Sequence, residues 1–248
     1  MGTPGSKVDE LLHFLKNTQS ETLYLVGDII DGWQLKKRFF WPQKHNDVVQ
    51  KILRKARNST KVIYIPGNHD EAARDYINYS FGEIEIFMDY IHHTPNGEKL
   101  WGVHGDLFDN VIQHARWLAY MGDRAYVILL RANRLLNRLR QLLNLPYWSF
   151  SQYLKLKVKS AVSFISAYET AMVKAARRRG CSGVICGHIH KAEIREIDGI
   201  KYFNDGDWVE SITALVEHHD GQMEIINWAN ITELKTTISH PTNVVAVE

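Results

Sequence analysis

The sequence has few of the features that mark secreted or membrane-spanning proteins. It holds only two cysteines, Cys181 and Cys186, which are too few for the disulfide framework of a small secreted domain. We interpret both as small buried residues beside a strand, with a thiolate ligand or a redox pair as the alternative. No apolar run approaches the roughly 18–20 residues that span a bilayer, and no signal peptide is recognised. A cytoplasmic location is therefore expected, with any membrane contact peripheral.

The net charge is small, but the charged residues are distributed unevenly along the chain. The formal charge is +2 over 248 residues. Between residues 115 and 160, nine Lys or Arg side chains accompany one acidic side chain, Asp123, so the remainder of the chain is net acidic. Three consecutive arginines end at Arg179 and precede Gly180, a pattern typical of a helix C-terminus, which we prefer to a nucleic-acid patch.

The order of apolar patterns predicts an α/β fold. Short apolar runs typical of strands end in loops that carry polar residues, and helical spacing of apolar residues follows. This alternation is typical of a sheet with its ligand site at the strand ends. In the first half, helices are predicted at Val8–Lys16 and Asn46–Arg57, and strands at Leu23–Val26, Lys61–Ile65, Glu83–Met88 and Lys99–Val103, the last two flanking a turn at Pro95-Asn96-Gly97.

A helical segment interrupts this alternation. Residues 111–145 show helical spacing with a leucine-rich face and an arginine face, and a further helix is predicted over residues 160–179. The chain is thus expected to be a single domain over residues 1–248, with a helical cap insertion at about residues 107–160. Strands resume afterwards, the last four in a second sheet, at Gly183–Cys186, Glu193–Ile197, Ile200–Phe203, Thr213–Glu217 and Met223–Trp228.

Four short blocks carry most of the candidate chemistry. Each follows a predicted strand and combines Gly with Asp, Asn or His, residue types that bind divalent metals. Alone, each block has an ordinary explanation as a turn, but their joint occurrence in this order is specific. They are Gly27-Asp28-Ile29-Ile30-Asp31-Gly32, Gly67-Asn68-His69-Asp70, Val103-His104-Gly105-Asp106 and Gly187-His188-Ile189-His190.

The first two blocks indicate a two-metal site with an acid catalyst. Such a site needs a bridging carboxylate between ions about 3.5–4 Å apart, and Asp28 ends a strand in a Gly-flanked turn suited to that role. Asn68 offers a neutral oxygen, and His69 can donate a proton to a leaving oxygen or stabilise charge on phosphorus. Asp31 would fix the tautomer of His69. Asp70 would serve similarly or cap the helix that follows.

The remaining candidate ligands are histidines. His104 follows a strand, and His188 and His190, two positions apart, project from one side if the chain there is extended. A lone histidine is more often a core or surface residue than a ligand. Most of the twelve histidines, including His92 and His218, are therefore set aside.

Together the four blocks resemble the metal-binding blocks of the calcineurin-like metallophosphoesterases. The resemblance implies a four-layer α/β/β/α sandwich of two packed mixed sheets. It implies in-line attack of a metal-bound hydroxide on phosphorus, with His69 as the catalytic histidine and Asp31 as its orienting partner. It also implies two divalent metal ions. Their ligands would be Asp28 as the bridge, Asn68, His104 and His188 at one ion, and His190 at the other.

One block of the family is missing from the sequence. The family opens with an Asp-x-His at the end of its first strand, and this sequence begins at Met1 without one. His190 is then nearly the only protein ligand of its ion, which would be held weakly. Two interpretations stand. We favour a natural protein that begins upstream, because Met1 falls immediately after the expected block. The other is a genuine short form, a catalytically impaired module that binds nucleotide, lipid or a partner.

Within the family, the sequence resembles the UDP-2,3-diacylglucosamine pyrophosphohydrolases of lipid A biosynthesis. The resemblance rests on residues 24–33, on the basic helical insertion after Asp106 and on residues 204–211. It implies cleavage of a pyrophosphate bond, usually with Mn²⁺, to give UMP and a lipid monophosphate. The best-known members carry Arg where this chain has His69, which leaves a different natural substrate open.

The same resemblance sets the expected partners. A diphosphate with two acyl chains requires cations beside an apolar surface, and the basic cap supplies both. That cap would also contact an anionic membrane at the inner face of the cytoplasmic membrane, whereas no nucleic-acid partner is expected. The alternative interpretation is that the cap does not bind lipid and is an ordinary amphipathic helix whose arginine face is solvated. The substrate-binding residues are expected to be Arg131, Arg134, Arg138, Lys155 and Lys159.

Overall fold

The computed structural model of the protein describes residues 1–109 and 165–231. The chain divides into two units, one formed by Met1–Asp106 with Ala175–Glu248 and the other by Leu107–Lys174. Most of the predicted cap insertion lies outside the described residues, so its helical structure and substrate role stay predictions. The same holds for the five basic residues assigned to it, Arg131, Arg134, Arg138, Lys155 and Lys159.

The first sheet has four strands in the order β1-β2-β4-β3. Strands β1 (Thr22–Val26), β2 (Lys61–Ile65) and β4 (Ile84–Ile86) run parallel, and β3 (Ser80–Phe81) pairs antiparallel with β4. The short helix α2 (Gly32–Lys37) follows β1 after a five-residue loop. This sheet places the loops after β1 and β2 side by side.

Two helices pack against the first sheet. In α3 (Gln43–Arg57), buried apolar residues recur at four-residue spacing, which is the period of one helix face. Helix α1 (Val8–Asn17) contributes its own buried side chains to the same core. The shared core consists of Val8, Leu15, Val48, Ile52, Ala56 and Val62.

The second sheet has five strands in the order β5-β6-β7-β9-β8. Strands β6 (Lys99–Val103), β7 (Gly183–Cys186) and β9 (Ile200–Asn204) are parallel, while β5 (Asp89–His93) and β8 (Glu193–Ile197) are antiparallel edge strands. Helix α4, described over 165–178, precedes β7 in the chain. Across residues 1–109 and 165–231, no helix combines the length and apolarity needed to cross a bilayer.

The two sheets pack face to face. Tyr24 of β1 contacts Tyr90 of β5, with ring centroids 5.8 Å apart. Ile65, fully buried at the end of β2, lies against Gly102 of β6. Two packed mixed sheets with helices confirm the predicted α/β fold class. They also bring the strand ends of both sheets to one region.

A hydrogen-bonded chain crosses from one sheet to the next. The hydroxyl of Tyr24 is 2.9 Å from Nδ1 of His92, and Nε2 of His92 is 2.8 Å from a carboxylate oxygen of Glu217. These residues belong to β1, β5 and β10 (Thr213–Glu217), respectively. His92 was not expected to be a metal ligand. Its two hydrogen bonds instead connect three sheets.

Two predicted strands form a separate sheet. Strands β10 and β11 (Met223–Asn227) were predicted to belong to the second sheet, but they form a separate antiparallel hairpin. Residues 205–212, between β9 and β10, include a turn in which Asp207 accepts backbone N–H groups of Val209 and Glu210. That turn leads the chain away from the sheet before β10 begins.

The strand before the Pro95–Gly97 turn was assigned wrongly. The predicted strand Glu83–Met88 is the shorter β4 of the first sheet, and the turn instead joins β5 to β6 in the second. The chain changes sheets within residues 87–88, without the Gly or Pro that usually marks such a change. The apolar pattern therefore gave no sign of it.

Candidate metal centre

The four polar blocks meet at the carboxyl ends of four strands. Strands β1 and β2 are parallel neighbours in the first sheet, and β6 and β7 are parallel neighbours in the second. Each is followed by one of the four blocks. Because parallel neighbours end at the same edge of a sheet, two packed sheets direct four loops toward a single site.

Three side chains form a group that suits a metal ion. The ligand atoms of Asp28, His104 and His188 all lie within 4.8 Å of one another. Asn68 adjoins the group, because its Oδ1 is 3.3 Å from Nε2 of His104. Oδ2 of Asp28 is also 3.3 Å from that nitrogen. A carboxylate, an amide oxygen and two imidazoles match the donor preferences of Mn²⁺, Fe²⁺ or Zn²⁺, so these residues fit a divalent ion.

His104 is oriented for coordination by the backbone of β1. Its Nδ1 is 3.2 Å from the carbonyl oxygen of Val26, to which it donates. The residue is only 2% exposed, so this contact is well shielded from water. With the proton on Nδ1, Nε2 presents its lone pair to the site, an arrangement common among metal-binding histidines.

The electrostatics of the group favour a cation. Burial acts to raise the pKa of Asp28, but its contacts with His104 and with the backbone N–H of His69 outweigh burial and lower the pKa to about 2. Burial acts to lower the pKa of His104, but the Asp28 carboxylate outweighs it and the pKa is raised. Both shifts favour positive charge beside the Asp28 carboxylate, which is the charge that a divalent ion would supply.

Two glycines allow the ligands to approach each other. A Cβ on Gly27, whose φ is +72°, would lie 1.9 Å from Nδ1 of His104. A Cβ on Gly67 would lie 2.3 Å from Oδ1 of Asp28 and 2.7 Å from Nε2 of His104. Any other residue at either position would displace the ligand group.

Three candidate ligands adopt a left-handed backbone. Asp28, His188 and His190 have φ of +53°, +67° and +54°. Such conformations cost about 1–3 kcal/mol each in non-glycine residues and cluster at functional sites. The extended segment considered for residues 188–190 is therefore not formed, and the two histidines make different contacts. His188 joins the group of Asp28 and His104, whereas His190 does not.

His69 is held beside this group by Asp31. Nδ1 of His69 is 2.9 Å from Oδ1 of Asp31, which also accepts the N–H of Gln34 and so caps α2. The N–H of His69 donates to Oδ1 of Asp28 at 2.9 Å. Trp33 stacks on the imidazole, with ring centroids 4.4 Å apart. The pair leaves Nε2 of His69 available to exchange a proton.

Asp70 holds two of the loops together. One oxygen accepts the N–H groups of Asp28 and Gly67, at 3.2 and 2.6 Å. The other accepts the N–H of Ile29 at 2.8 Å and the hydroxyl of Tyr64 at 2.5 Å. Asp70 makes no side-chain cap for the 3₁₀ segment Glu71–Tyr76, and Asp31 orients His69 instead, so neither role considered from the sequence is found.

Arg74 joins a third loop to this arrangement. Its guanidinium donates to the carbonyl oxygen of Pro66 at 3.1 Å and to both carboxylate oxygens of Asp106, at 2.9 and 2.8 Å. Pro66 precedes the block that holds Asn68, and Asp106 lies two residues after His104. The ion pair therefore connects the loops that carry these two candidate ligands.

His190 lies beside Asp207. Nδ1 of His190 is 3.6 Å from Oδ2 of Asp207, and the imidazole is 54% exposed while the carboxylate is 6% exposed. The neighbouring Asp207 carboxylate raises the pKa of His190, although burial acts to lower it. Burial acts to raise the pKa of Asp207, but His190 and backbone N–H groups lower it well below its usual range.

Three polar residues near the site were not assigned their observed roles from the sequence. Asp70 was given other roles, Arg74 was not considered, and Asp207 was noted only within a family motif. The signal for Asp207 was available, because Asp205-Gly206-Asp207 follows strand β9 as the metal-binding blocks follow theirs. Arg74 carried no signal, since its partner lies 32 positions away.

A sequence comparison identifies the family. The family model described as calcineurin-like phosphoesterase matches residues 6–192, most of the chain. The chain belongs to the calcineurin-like phosphoesterases. The family's chemistry, metal-dependent phosphoester hydrolysis, agrees with the donor set of Asp28, Asn68, His104 and His188. No curated protein sequence matches the chain.

Solved structures similar to this phosphoesterase are distant. A novel archaeal phosphodiesterase is 11% identical, with 89% of this chain and 90% of that chain covered and a TM-score of 0.39. A Vps29 single mutant from Entamoeba histolytica is 13% identical, with coverages of 88% and 87% and a TM-score of 0.40. A hypothetical protein from Pyrococcus horikoshii OT3 is 10% identical, with coverages of 96% and 88% and a TM-score of 0.43. The family assignment rests on the sequence match.

Replacing Asp70 by Asn should loosen both loops. The amide NH₂ would face backbone N–H donors, so at least one donor loses its acceptor, and we expect the free energy of unfolding to fall by about 2 kcal/mol or more. Asp75→Asn, an exposed position in the same 3₁₀ segment, should change it by less than about 0.5 kcal/mol. Equilibrium urea unfolding measures both, and equal stability of the two variants would contradict the role given to Asp70.

Metal binding should weaken as the pH falls. An ion competes with the proton on Nε2 of His104, whose pKa is raised, so the apparent Kd for Mn²⁺ should rise by about tenfold per pH unit below that pKa and level off above it. Calorimetric titrations between pH 5.5 and 8.5 locate the pH at which the affinity begins to fall.

Replacing Asp28 by Asn should lower the pKa of His104. NMR titration of the variant without added metal measures this pKa, and a value equal to that of the wild type would show that Asp28 does not set it.

Proposed function

We propose that this phosphoesterase cleaves the pyrophosphate bond of a nucleotide-diphospho-lipid, UDP-2,3-diacylglucosamine or a relative, to release UMP and a lipid monophosphate. The observation that carries the hydrolytic part is the His69–Asp31 pair beside the ligand group, with Nδ1 and Oδ1 2.9 Å apart. A protonatable imidazole next to a group of metal-binding side chains suits phosphoester cleavage, because it combines a proton donor with Lewis-acid stabilisation.

Two sets of residues have different roles in the proposed reaction: one set binds the metal ion and the other transfers a proton. Asp28, Asn68, His104 and His188 would hold the ion, which supplies Lewis-acid stabilisation of charge on the phosphoryl oxygens when bound. Asp31 accepts a hydrogen bond from Nδ1 of His69 and so fixes the orientation of the ring. Nε2 of His69 then delivers a proton to the leaving oxygen, which offsets the charge that develops there.

The finer substrate assignment is supported by the sequence. Residues 24–33 and 204–211 resemble those of the UDP-2,3-diacylglucosamine pyrophosphohydrolases, and the segment of residues 115–160 is strongly basic. We propose Mn²⁺ as the ion, because the pyrophosphohydrolases that the sequence resembles usually use it and the mixed oxygen and imidazole ligands suit it. We also propose that the protein works in the cytoplasm, with peripheral contact to an anionic membrane. Trp33, 38% exposed beside His69, offers an apolar surface at the site.

One observation favours a second candidate function. Among residues 1–109 and 165–231, the group of possible ligands contains Asp28, His104 and His188 but not His190. A protein that holds a single ion would be a catalytically impaired module that binds nucleotide or lipid on the same fold. It would bind at most one ion per chain and show no turnover.

The decisive experiment is hydrolysis of UDP-2,3-diacylglucosamine in detergent micelles with Mn²⁺. Mass spectrometry should show UMP and diacylglucosamine phosphate, and added chelator should abolish both. UDP-N-acetylglucosamine, which lacks the acyl chains, and bis(p-nitrophenyl) phosphate, which lacks the pyrophosphate, separate lipid recognition from simple phosphodiester cleavage. Cleavage of bis(p-nitrophenyl) phosphate alone would contradict the lipid assignment. No cleavage of any substrate would favour the binding module.

Removing the proposed proton donor should reduce turnover while ion binding remains. We expect His69→Ala to lower kcat by about 10²–10⁴-fold, the usual contribution of an acid catalyst, with Mn²⁺ affinity nearly unchanged. Asp31→Asn should also lower kcat, although Asn caps helices as well as Asp does and so preserves α2. His219→Ala, at an exposed site in the β10–β11 loop, serves as the control. Wild-type rates in His69→Ala would disprove this role.

A further inference from the structure

We propose that residues 33–41 form a docking surface for an anionic lipid bilayer. Phe39 inserts among the lipids, and three cations next to it in the chain contact the head groups, namely Lys36, Lys37 and Arg38. This inference rests on the membrane contact proposed above, but it depends neither on the substrate nor on any metal ion. The surface consists of α2 and part of the loop that joins α2 to α3.

The charged side chains of this part of the chain are all cationic. Residues 32–46 contain four Lys or Arg side chains and neither Asp nor Glu. Lys44 is one of the four and pairs with Asp9 at 2.7 Å. The other three are exposed, and no carboxylate within residues 1–109 and 165–231 forms an ion pair with them. Their charge is therefore available to an anionic bilayer, to which each cation strengthens binding by about fivefold.

Phe39 follows these cations and points outward. It is 77% exposed, more than any other large apolar side chain in the part of the chain that the structure describes. Phe40 and Trp41 pack on the buried ring of His45, with ring centroids 5.8 and 5.0 Å from it. Nε1 of Trp41 also donates to Oδ1 of Asn46 at 2.8 Å. Because the two residues after Phe39 are anchored inward, the loop presents Phe39 to its surroundings.

The end of α2 explains only part of this pattern. Lys36 and Lys37 lie in its last turn, where cations interact favourably with the helix dipole. Arg38 follows the helix with an extended backbone, and Phe39 comes next. One exposed apolar side chain needs no explanation by itself. Cations combined with exposed aromatic side chains are, however, the composition of segments that bind at a membrane interface.

A second group of exposed aromatic residues lacks this charge. Tyr76, Tyr79 and Phe81 are each more than half exposed. Residues 71–85, which contain them, carry four acidic side chains and one basic side chain, and that one is paired with Asp106. An anionic bilayer would repel this group. Of the two exposed aromatic groups, only residues 33–41 therefore match an anionic bilayer in charge.

The proposed docking surface adjoins the candidate site. Trp33, in the first turn of α2, is 38% exposed and stacks on the imidazole of His69, with ring centroids 4.4 Å apart. Asp31 caps the same helix and holds the same imidazole. One short helix thus carries both membrane-facing cations and a contact of the proposed proton donor. This proximity suits a substrate whose acyl chains stay in the bilayer.

Co-sedimentation of the intact chain with vesicles tests the proposal. The wild type should bind vesicles of phosphatidylethanolamine and phosphatidylglycerol more tightly than phosphatidylcholine vesicles, and added salt should weaken this binding. The triple variant Lys36→Gln/Lys37→Gln/Arg38→Gln should lower the partition coefficient by about 100-fold. Phe39→Ala should lower it by about tenfold. Phe39→Trp should keep wild-type binding, because Trp favours the membrane interface.

Matched controls remove the same kinds of side chain elsewhere. The triple variant Arg54→Gln/Arg57→Gln/Arg178→Gln removes three exposed cations from α3 and α4. Tyr79→Ala removes an aromatic side chain that is 66% exposed. Both should change vesicle binding far less than the corresponding variants of residues 33–41. Equal losses in variants and controls would show that net charge or apolarity alone is responsible, and would overturn the proposal.

A fluorophore at residue 39 reports insertion directly. Cys181 and Cys186 are both buried, so Phe39→Cys can be labelled selectively with nitrobenzoxadiazole. Its emission should shift to shorter wavelength with the anionic vesicles, whereas the same label on Tyr79→Cys should not respond. Absence of the shift at residue 39 would overturn the proposal.

Three further outcomes would also overturn it. They are a wild type that does not bind the anionic vesicles, a triple Gln variant of residues 36–38 that binds them as the wild type does, and binding of single-stranded RNA by residues 33–41 in place of vesicles. The second would assign the membrane contact to another part of the chain, and the third would assign the surface to nucleic acid. No substrate is added in these measurements, so failure of the proposed hydrolysis is distinguished from failure of the docking surface.

Discussion

The geometry of the site depends on the carboxylate of Asp70. It accepts the N–H groups of Asp28, Ile29 and Gly67 and the hydroxyl of Tyr64. Hydrogen bonds to a charged acceptor contribute about 1.5–3 kcal/mol each, which is comparable to the cost of the left-handed backbone at Asp28. A single buried anion therefore offsets the strain that turns the loop after β1 into a ligand loop, and it fixes the spacing between this loop and the one that carries Asn68.

Strain at the ligands is tolerable because a buried strand lies beside or before each left-handed loop: β2 pairs with β1, which precedes Asp28, and β7 precedes His188. Val62, Ile63 and Ile65 in β2, and Val184 in β7, have no exposed surface, so the strand ends are firmly anchored. Left-handed residues follow directly in the loops after β1 and β7. Apolar burial in the sheets stabilises the fold. This stabilisation offsets the cost of the left-handed backbone at Asp28 and His188, where the side chains converge. Gly27 and Gly67 complete the arrangement, because a larger residue would occupy the space that the ligand atoms need.

Features set by neighbouring residues could be predicted from the sequence, whereas features set by contacts between distant parts of the chain could not. The strands at Lys61–Ile65, Lys99–Val103 and Gly183–Cys186 were predicted at their observed limits, because continuous apolar runs ending at Gly or a polar block are local signals. The separate β10–β11 hairpin and the change of sheet at residues 87–88 were missed, because pairing partners are a tertiary property. The same reason explains Asp70 and Arg74, whose roles are set by partners 32–42 positions away. Sequence patterns located the metal-binding blocks but gave no account of what holds them together.

The ion site and the proton donor are not independent parts. Oδ2 of Asp28 faces Nε2 of His104, while Oδ1 of the same carboxylate accepts the N–H of His69. The carbonyl oxygen of His69 in turn accepts the N–H of Gly32, next to Asp31, which holds the imidazole. The loop of residues 27–32 thus contacts His69 through its N–H, its carbonyl oxygen and its side chain. An ion drawn to Asp28 therefore acts on the residue that fixes the backbone of His69. Because the binding of the ion and the position of the acid share this carboxylate, any change at Asp28 alters both at once, whereas a substitution at His69 or Asp31 changes the acid and leaves the ligand group in place.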